Sequence, residues 1–277
     1  MDKLYFGTAG IPLSTEPSDT INGIKKCREL GLGSMELEFV RNVHVSKEKA
    51  PEVKKTAEKE NVQLTAHGSY FINLNANEPE KRGASRARIL QAAKILDMCG
   101  GYSVCFHAAY RMESTENEAY NNVKEQMKKI MEEIETMGLK VWIRPETAGK
   151  LSQFGNLDEL IRLSLEFEQV LPCIDFSHLR ATLGGKMNKY EEYASVLEKI
   201  ERELGKKALK EMHLHIQGVN YGDKGEKNHL AIADDPKWNY KDLMKALKDF
   251  KVCGVVTCES PVLETDSIIL KKAYDAI

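Results

Sequence analysis

Histidine and acidic residues stand at the ends of a series of short apolar segments in this sequence. One such run ends at Asp175, and His178 follows three residues later. Similar runs end in histidine or glutamate, at His67, His107, Glu146, His213 and Glu259. Imidazole and carboxylate groups together suit zinc, manganese or iron, and a carboxylate can bridge two such ions. We therefore expect a metal site if the fold brings these residues together.

The apolar segments alternate with helical patterns along the whole chain. Strands are predicted at residues 4–8, 35–40, 62–66, 103–106, 139–143, 170–174, 209–216 and 252–258. Helices are predicted from a cap at Ser18 or Asp19 through 30, and at 52–60, 84–99, 116–137, 157–167, 190–204, 240–250 and 267–277. Eight such units in 277 residues predict an α/β protein, a single (β/α)₈ TIM barrel that forms one domain over residues 1–277. A doubly wound open sheet is the alternative, but no Gly-x-Gly-x-x-Gly turn follows the first strand.

A barrel gathers the carboxyl ends of its strands over one mouth, where active sites are built. The strand-end histidines and acids would therefore point into one volume. The longest irregular stretch, residues 218–239, would lie on the same side and bring His229 over the site. His215 shares a strand face with His213 because the strand period is two, so the sequence cannot choose between them. We expect His44 and His215 not to be ligands.

Composition is that of an ordinary globular protein, with 42% hydrophobic and 30% charged residues. No apolar run approaches the roughly 20 residues that cross a bilayer, and we expect a cytoplasmic monomer. The six cysteines form no Cys-x-x-Cys pair and are expected to be buried free thiols. A net charge of −2 and a pI near 6.4 argue against a protein that binds nucleic acid by phosphate neutralisation alone. They do not exclude an enzyme whose metal ions supply the local positive field.

Several short segments together resemble the endonuclease IV family. Its members are apurinic/apyrimidinic endonucleases and belong to the larger group of xylose isomerase-like barrels. The resemblance covers nearly the whole chain. It rests on His67-Gly68-Ser69-Tyr70-Phe71-Ile72-Asn73-Leu74, Phe106-His107, Glu146-Thr147-Ala148-Gly149, Cys173-Ile174-Asp175-Phe176-Ser177-His178, Met212-His213-Leu214 and Cys258-Glu259. The segments Phe6-Gly7-Thr8-Ala9-Gly10-Ile11-Pro12 and Met35-Glu36-Leu37-Glu38-Phe39-Val40-Arg41 look like an archaeal branch of that family.

This resemblance implies a site of two or three zinc ions, with manganese as the alternative metal. By family position the ligands are His67 and His107 for the first ion, Glu146 as the bridge, Asp175, His213 and Glu259 for the second ion, and His178 and His229 for the third. The implied reaction is hydrolysis of the phosphodiester 5′ to an abasic sugar in double-stranded DNA, which leaves a 3′-hydroxyl. Glu146 and Glu259 are the implied catalytic residues.

The family also inserts side chains into the duplex to turn out the damaged nucleotide. Tyr70 and Phe71 fall at those positions, and Arg41 lies in the corresponding loop after the second strand. Apolar wedges can unstack a base step, and an abasic nucleotide costs least to extrude. The alternative is that the two aromatic side chains only cover the barrel rim.

One departure from the family pattern concerns the third ion. The family has Asp-x-His in the loop after the seventh strand, whereas Lys227 stands here where the aspartate is expected before His229. Glu226 from one residue away, or Asp223, could take the place of that aspartate. Without such a replacement the third site would be weak.

Two other functions fit parts of the pattern. A sugar isomerase or epimerase of the same barrel group needs one metal, held by Glu146, Asp175, a histidine of the seventh strand and Glu259. The additional histidines at 67, 107 and 178 favour the nuclease, because a one-metal isomerase does not require them as ligands. A non-catalytic metal-binding or DNA-scaffolding barrel is the second alternative.

Overall fold

The computed structural model describes residues 1–277, which form an alternating series of strands and helices. The first half contains β1 (Leu4–Ala9), α1 (Thr20–Glu29), β2 (Ser34–Glu38), α2 (Ala50–Glu60), β3 (Gln63–His67), α3 (Pro79–Met98), β4 (Ser103–Phe106), β5 (Ala109–Tyr110), α4 (Glu116–Met137), β6 (Trp142–Pro145), β7 (Gln153–Phe154) and α5 (Leu157–Glu166). The second half contains β8 (Cys173–Asp175), α6 (Phe176–Thr182), α7 (Tyr190–Leu204), α8 (Lys206–Lys210), β9 (Met212–His215), β10 (Gly218–Gly222), β11 (Gly225–Leu230), a 3₁₀ turn (Ile232–Asp234), α9 (Tyr240–Asp249), β12 (Gly254–Cys258) and α10 (Glu264–Asp275).

Eight parallel strands form a nearly closed barrel in the order β6-β4-β3-β2-β1-β12-β9-β8. The two ends of this order meet through single parallel bridges, Ile143 with Val170 and Glu146 with Cys173. The predicted (β/α)₈ barrel is therefore confirmed. None of the helices combines the length and the apolar composition that a membrane-spanning segment requires.

Local capping explains why some elements begin and end where they do. At the start of α4, the Thr115 hydroxyl accepts from the Glu118 amide while the Glu118 carboxylate accepts from the Thr115 amide. Gly138 ends the helix in the left-handed conformation with φ of 67°. The bounds Glu116–Met137 are those predicted from the sequence. Asp19, one of the two predicted caps, accepts from the Asn22 amide at the start of α1.

A cluster of 63 buried apolar residues packs the helices against the outside of the barrel. The inside of the barrel is different, because several strands direct polar side chains inward. Thr65, Cys105 and Arg144 are all at most 1% exposed, as are Glu36 and His213. This polar interior lies directly beneath the mouth, so its side chains can contact and orient those at the strand ends.

Three features of the second half differ from the sequence prediction. Residues 218–239 are not irregular throughout, because β10 and β11 form an antiparallel hairpin there. The strand predicted at 209–216 begins later, since Lys206–Lys210 is a helix. The short helix Phe176–Thr182 was not predicted, and it begins directly after Asp175, whose side chain accepts from the His178 amide.

Candidate metal centre

Glu146 lies at the centre of the barrel mouth, immediately after β6, and is 1% exposed. Its Oε2 is 3.3 Å from His67 Nε2 and 3.6 Å from His107 Nε2. Its Oε1 is 3.3 Å from His178 Nδ1 and 3.2 Å from His215 Nδ1. We call these five residues the Glu146 cluster. A carboxylate with histidines at both oxygens has the arrangement of a ligand that bridges two ions.

A group of three acids and one histidine lies on one side of Glu146. The ligand atoms of Glu146, Asp175, His215 and Glu259 all lie within 4.8 Å of one another. Glu259 Oε2 is 3.3 Å from His215 Nδ1, and Asp175 Oδ2 is 3.3 Å from His178 Nδ1. Three carboxylates this close are costly without positive charge among them. Their arrangement fits a divalent cation.

The histidine that β9 contributes to this group is His215, which corrects the assignment of that position to His213. Strand register is the reason. β8 and β9 pair so that Asp175 lies beside His215, whereas His213 lies beside Cys173, one layer deeper in the barrel. His213 Nδ1 is 2.8 Å from the Ser103 hydroxyl, and its Nε2 faces Glu36 at 3.0 Å. His44 remains apart from the mouth, with its exposed ring against Phe39.

A third group is formed by the hairpin and α6. Glu226 Oε2 is 3.1 Å from His178 Nε2, and Glu226 Oε1 is 3.3 Å from His229 Nε2. Gly149 permits this approach, because a methyl group there would overlap the Glu226 carboxylate. Of the replacements considered for the missing aspartate, the structure brings Glu226 to this position.

A β-bulge accounts for the position of Glu226. Tyr221 pairs with Glu226 and Asn220 pairs with Asn228, so Lys227 is an extra residue in β11. In a regular strand, residues three apart point to opposite faces. Because Lys227 is an extra residue, the alternation of side chains along β11 shifts by one position. Glu226 and His229 therefore point to the same face of the strand, toward His178. Lys227 is exposed and takes no part in the group.

This assignment predicts different effects for two neighbouring substitutions. Glu226→Gln should lower the bound zinc by about one ion per chain, because an amide is a much weaker ligand than a carboxylate. Lys227→Ala, the matched control, should leave the metal content unchanged. Native mass spectrometry of the zinc-loaded proteins measures both. Loss of an ion in the lysine variant alone would contradict the assignment.

Three histidine rings are oriented by backbone carbonyl groups. The Nδ1 atoms of His67, His178 and His229 lie 2.8, 2.9 and 3.1 Å from the carbonyl oxygens of Gly68, Thr147 and Glu259. A ring that donates from Nδ1 to a carbonyl presents Nε2 as the free nitrogen, as is usual for metal-binding histidines. Each of the three Nε2 atoms faces a carboxylate across the mouth. These orientations fit metal binding.

Burial and nearby charges raise the pKa values of some side chains at the barrel mouth and lower those of others. Burial lowers the pKa of His107 to about 4, so its ring is neutral near pH 7. Burial also raises the pKa of Asp175 to about 6. Burial opposes a charge on His67, but its contact with Glu146 outweighs that effect and raises its pKa to about 10. Glu226 likewise outweighs burial and raises the pKa of His229 to about 9.

These shifts predict that metal binding releases protons. Without metal, His67 and His229 are protonated at pH 7.5, because both pKa values lie above that pH. Burial opposes a charge on His178 and His215 as well, but nearby acidic groups outweigh it and raise the pKa of each ring well above its usual value. A metal takes the lone pair of a neutral ring, so each must lose its proton, and affinity should fall as the pH is lowered. Calorimetric titrations with zinc in buffers of different ionisation enthalpy should show release of at least two protons per chain. Heats independent of the buffer would contradict this prediction.

Sequence reasoning missed Glu38, an additional acid at the mouth. It ends β2, and its Oε1 is buried without a hydrogen-bond partner. Burial first, and then the nearby Glu36 carboxylate, raise the pKa of Glu38 to about 8. The pattern of an apolar strand ending in an acid could have identified it, since it applies here as it does at Glu146.

The mouth opens into a cleft of about 250 Å³ beside the Glu146 cluster. Tyr70 and Phe71 stand on its rim and are 60% and 64% exposed. The Tyr70 amide donates to the Val40 carbonyl, so this turn lies next to the loop with the exposed Arg41. Lys150 also lines the cleft, and its side chain is exposed. The rim therefore combines aromatic and basic groups although the whole chain is weakly acidic.

Comparison with known sequences relates the chain to barrels of this kind. The profile of the xylose isomerase-like TIM barrel family matches residues 24–273. An uncharacterized protein of Methanocaldococcus jannaschii is 43% identical over 274 residues, which are 99% of this chain and 98% of that protein. The apurinic-apyrimidinic endonuclease 1 of Plasmodium falciparum is 26% identical over 215 residues, 75% of this chain but 35% of that longer protein.

Solved structures of similar fold include proteins with different activities in their names. A D-tagatose 3-epimerase-like protein has a TM-score of 0.75 at 17% identity, covering 98% of this chain and 96% of its own. Endonuclease IV from Thermus thermophilus has a TM-score of 0.74 at 18% identity, covering 99% and 98%. These two likenesses show the fold only. With the family profile matching most of its length, the chain belongs to the xylose isomerase-like TIM barrel family.

Proposed function

We propose that this protein is a metal-dependent DNA repair endonuclease that cleaves the phosphodiester bond 5′ to an abasic site. The observation that carries the proposal is the number of grouped donors. Three ligand groups meet at Glu146 and His178 and together supply nine side chains. One zinc ion uses about four ligands, so the arrangement suits two or three ions. Multinuclear sites of this kind are typical of phosphodiester hydrolysis.

The ligands divide among three positions around the mouth. His67, His107 and Glu146 would hold the first ion, Glu146, Asp175, His215 and Glu259 the second, and His178, Glu226 and His229 the third. Zinc is the proposed metal and manganese the alternative. When bound, such ions would neutralise phosphate charge, activate water and stabilise the departing oxygen.

The remaining groups of the mouth would bind and orient the substrate. Glu259 lies on the cleft side of the second position, and the His215 contact outweighs burial and lowers its pKa to about 2. It would therefore accept a hydrogen bond from the attacking water rather than donate one. Lys150 and Arg41 would pair with phosphates along the strand. Tyr70 and Phe71 would enter the base stack beside the abasic nucleotide.

The aromatic wedge predicts a defect that is specific to DNA. Replacing both Tyr70 and Phe71 with alanine should lower kcat/KM on an abasic duplex by at least about 30-fold, given about 1–3 kcal/mol for each of the two stacked aromatic groups. Hydrolysis of a small phosphodiester such as bis(p-nitrophenyl) phosphate should be unchanged. Leu165→Ala is the matched control, because Leu165 is also 64% exposed but lies on α5. Equal activity of the double variant on the duplex would refute the wedge.

Sugar epimerisation is the second candidate, and a specific observation supports it. Glu146, Asp175, His215 and Glu259 form a compact set that could hold one ion, and an epimerase-like protein is among the similar structures. In that reading, His67 and His107 would bind substrate hydroxyl groups instead of metal. Relatives named as endonucleases, which match at the sequence level, favour the nuclease.

The experiment that tests the function uses one zinc-loaded preparation on two substrates. A duplex with a single abasic site should be incised on its 5′ side to leave a 3′-hydroxyl, while the intact duplex is not cut. Prior treatment with a chelator should abolish the incision, and zinc or manganese should restore it. Absence of incision together with epimerisation of a ketohexose would replace the nuclease with the epimerase.

A further inference from the structure

A buried carboxylate lies one layer below the metal centre, where the proposed reaction has no use for it. Glu36 on β2 is 0% exposed. Its Oε2 accepts a hydrogen bond of 2.7 Å from the Thr65 hydroxyl. Removing a carboxylate from water costs several kcal/mol, whereas apolar side chains usually fill a barrel interior. A role in stability alone therefore does not explain Glu36.

The contacts of Glu36 connect it to the mouth. Its Oε1 is 3.1 Å from His215 Nε2, and the opposite nitrogen of that ring, Nδ1, is 3.2 Å from Glu146. On the other side, Glu36 Oε2 is 3.0 Å from His213 Nε2, and His213 Nδ1 is 2.8 Å from the Ser103 hydroxyl. These five residues form a continuous path, each at most 1% exposed.

We propose that Glu36 is a positioning residue for the metal centre. Its carboxylate holds the proton of His215 on Nε2, which leaves Nδ1 free to face the position shared by Glu146 and Glu259. A carboxylate behind a metal-binding histidine fixes the ring and makes it a better ligand. His213 and Ser103 support Glu36 from the far side, and Thr65 fixes its rotation. The inference depends on the proposed metal centre but not on whether the substrate is DNA or sugar.

Two buried thiols offer a competing explanation of the same layer. The ligand atoms of Cys105, Cys173, His213 and His215 lie within 4.8 Å of one another, as a separate metal site would require. The Cys105 thiol lies 3.5 Å from His215 Nε2, the same nitrogen that is 3.1 Å from Glu36 Oε1, so a metal held by this thiol would compete with Glu36 for that nitrogen. We therefore assign both rings to the carboxylate and the thiols to packing.

The test is the zinc affinity of Glu36→Gln, measured by competition with a chromophoric chelator. An amide of the same size removes the charge behind His215, so affinity at the second position should fall about 10- to 100-fold. The absorption spectrum of the cobalt-substituted protein should change as well. Glu264→Gln is the matched control, because Glu264 is also buried but caps the amides of Leu13 and Ser14. Its affinity should stay within about twofold of wild type.

Two additional variants keep the result interpretable. If Glu36→Gln does not fold, Ser103→Ala carries the test, with an expected loss of affinity of several-fold through His213. Cys105→Ser with Cys173→Ser should leave the number of bound ions unchanged, and loss of one ion would overturn the proposal in favour of a thiolate site. Unaltered affinity and cobalt spectrum in folded Glu36→Gln would also overturn it. Failure of the wild-type protein to bind zinc would instead refute the proposed function.

Discussion

Glu146→Gln is expected to reduce incision of an abasic duplex by at least about 10³-fold. Each carboxylate oxygen of Glu146 faces two histidine rings, at 3.2 to 3.6 Å. An amide presents one oxygen and one NH₂ group, so it cannot bridge two ions and turns a donor toward one pair of rings. The loss corresponds to about 4 kcal/mol of transition-state stabilisation. Single-turnover incision with saturating enzyme measures it without interference from product release.

The control for this substitution must also replace a buried carboxylate by its amide. Glu264→Gln meets that requirement outside the three ligand groups, because Glu264 caps the Leu13 and Ser14 amides, and it should retain incision close to the wild-type rate. Metal content should separate the causes of the defect, because Glu146→Gln should lose ions from both the first and the second positions. A Glu146→Gln protein that keeps its zinc and at least a tenth of its activity would contradict the bridging role.

The second large effect distinguishes the two histidines of β9. His215→Gln should lower incision by at least about 10³-fold, since it removes a proposed metal ligand beside Glu146 and Glu259. His213→Gln should lower incision only about 10- to 100-fold, because His213 contacts Glu36 and is proposed to act through it instead of binding an ion. Both side chains are fully buried, so thermal unfolding of the metal-free variants should be compared first. The opposite order of the two defects would return the ligand position to His213.

The strand-end pattern predicted most of the side chains that meet at the candidate site, because a barrel brings the ends of successive strands together at one mouth. His67, His107, Glu146 and Asp175 follow their strands directly or end them, so little depended on the exact bounds of each element. Helix bounds were accurate where the sequence contained its own stop signals. At α4, for example, Thr115 with Glu118 begins the helix and Gly138 ends it.

The choice between His213 and His215 could not come from the sequence. Both side chains point inward, and only the register of β8 against β9 decides which one is level with Asp175. Register between sequence-distant strands depends on packing of the whole barrel. The contact between Glu36 on β2 and His215 on β9 could not be predicted from the sequence for the same reason.

The hairpin after β9 was missed because its strands lack an alternating apolar pattern. Asn228 is exposed and His229 only partly buried, and a strand with two polar faces gives no period of two. A turn signal was present, since Gly222 and Gly225 pair on either side of Asp223 and Lys224. The bulge at Lys227 then determines which side chains of β11 face the candidate site. Alternation counted along a regular strand would have directed Glu226 away from His229.

The number of zinc ions bound per chain tests the central claim most directly. The account predicts three ions in native mass spectra of the zinc-loaded, desalted protein, at the positions that meet at Glu146 and His178. A count of two ions in the wild-type protein would exclude only the proposed third metal position, at Glu226. A single ion, unchanged in His67→Gln and lost in His215→Gln, would contradict a multinuclear centre and leave the one-metal sugar epimerase as the better account.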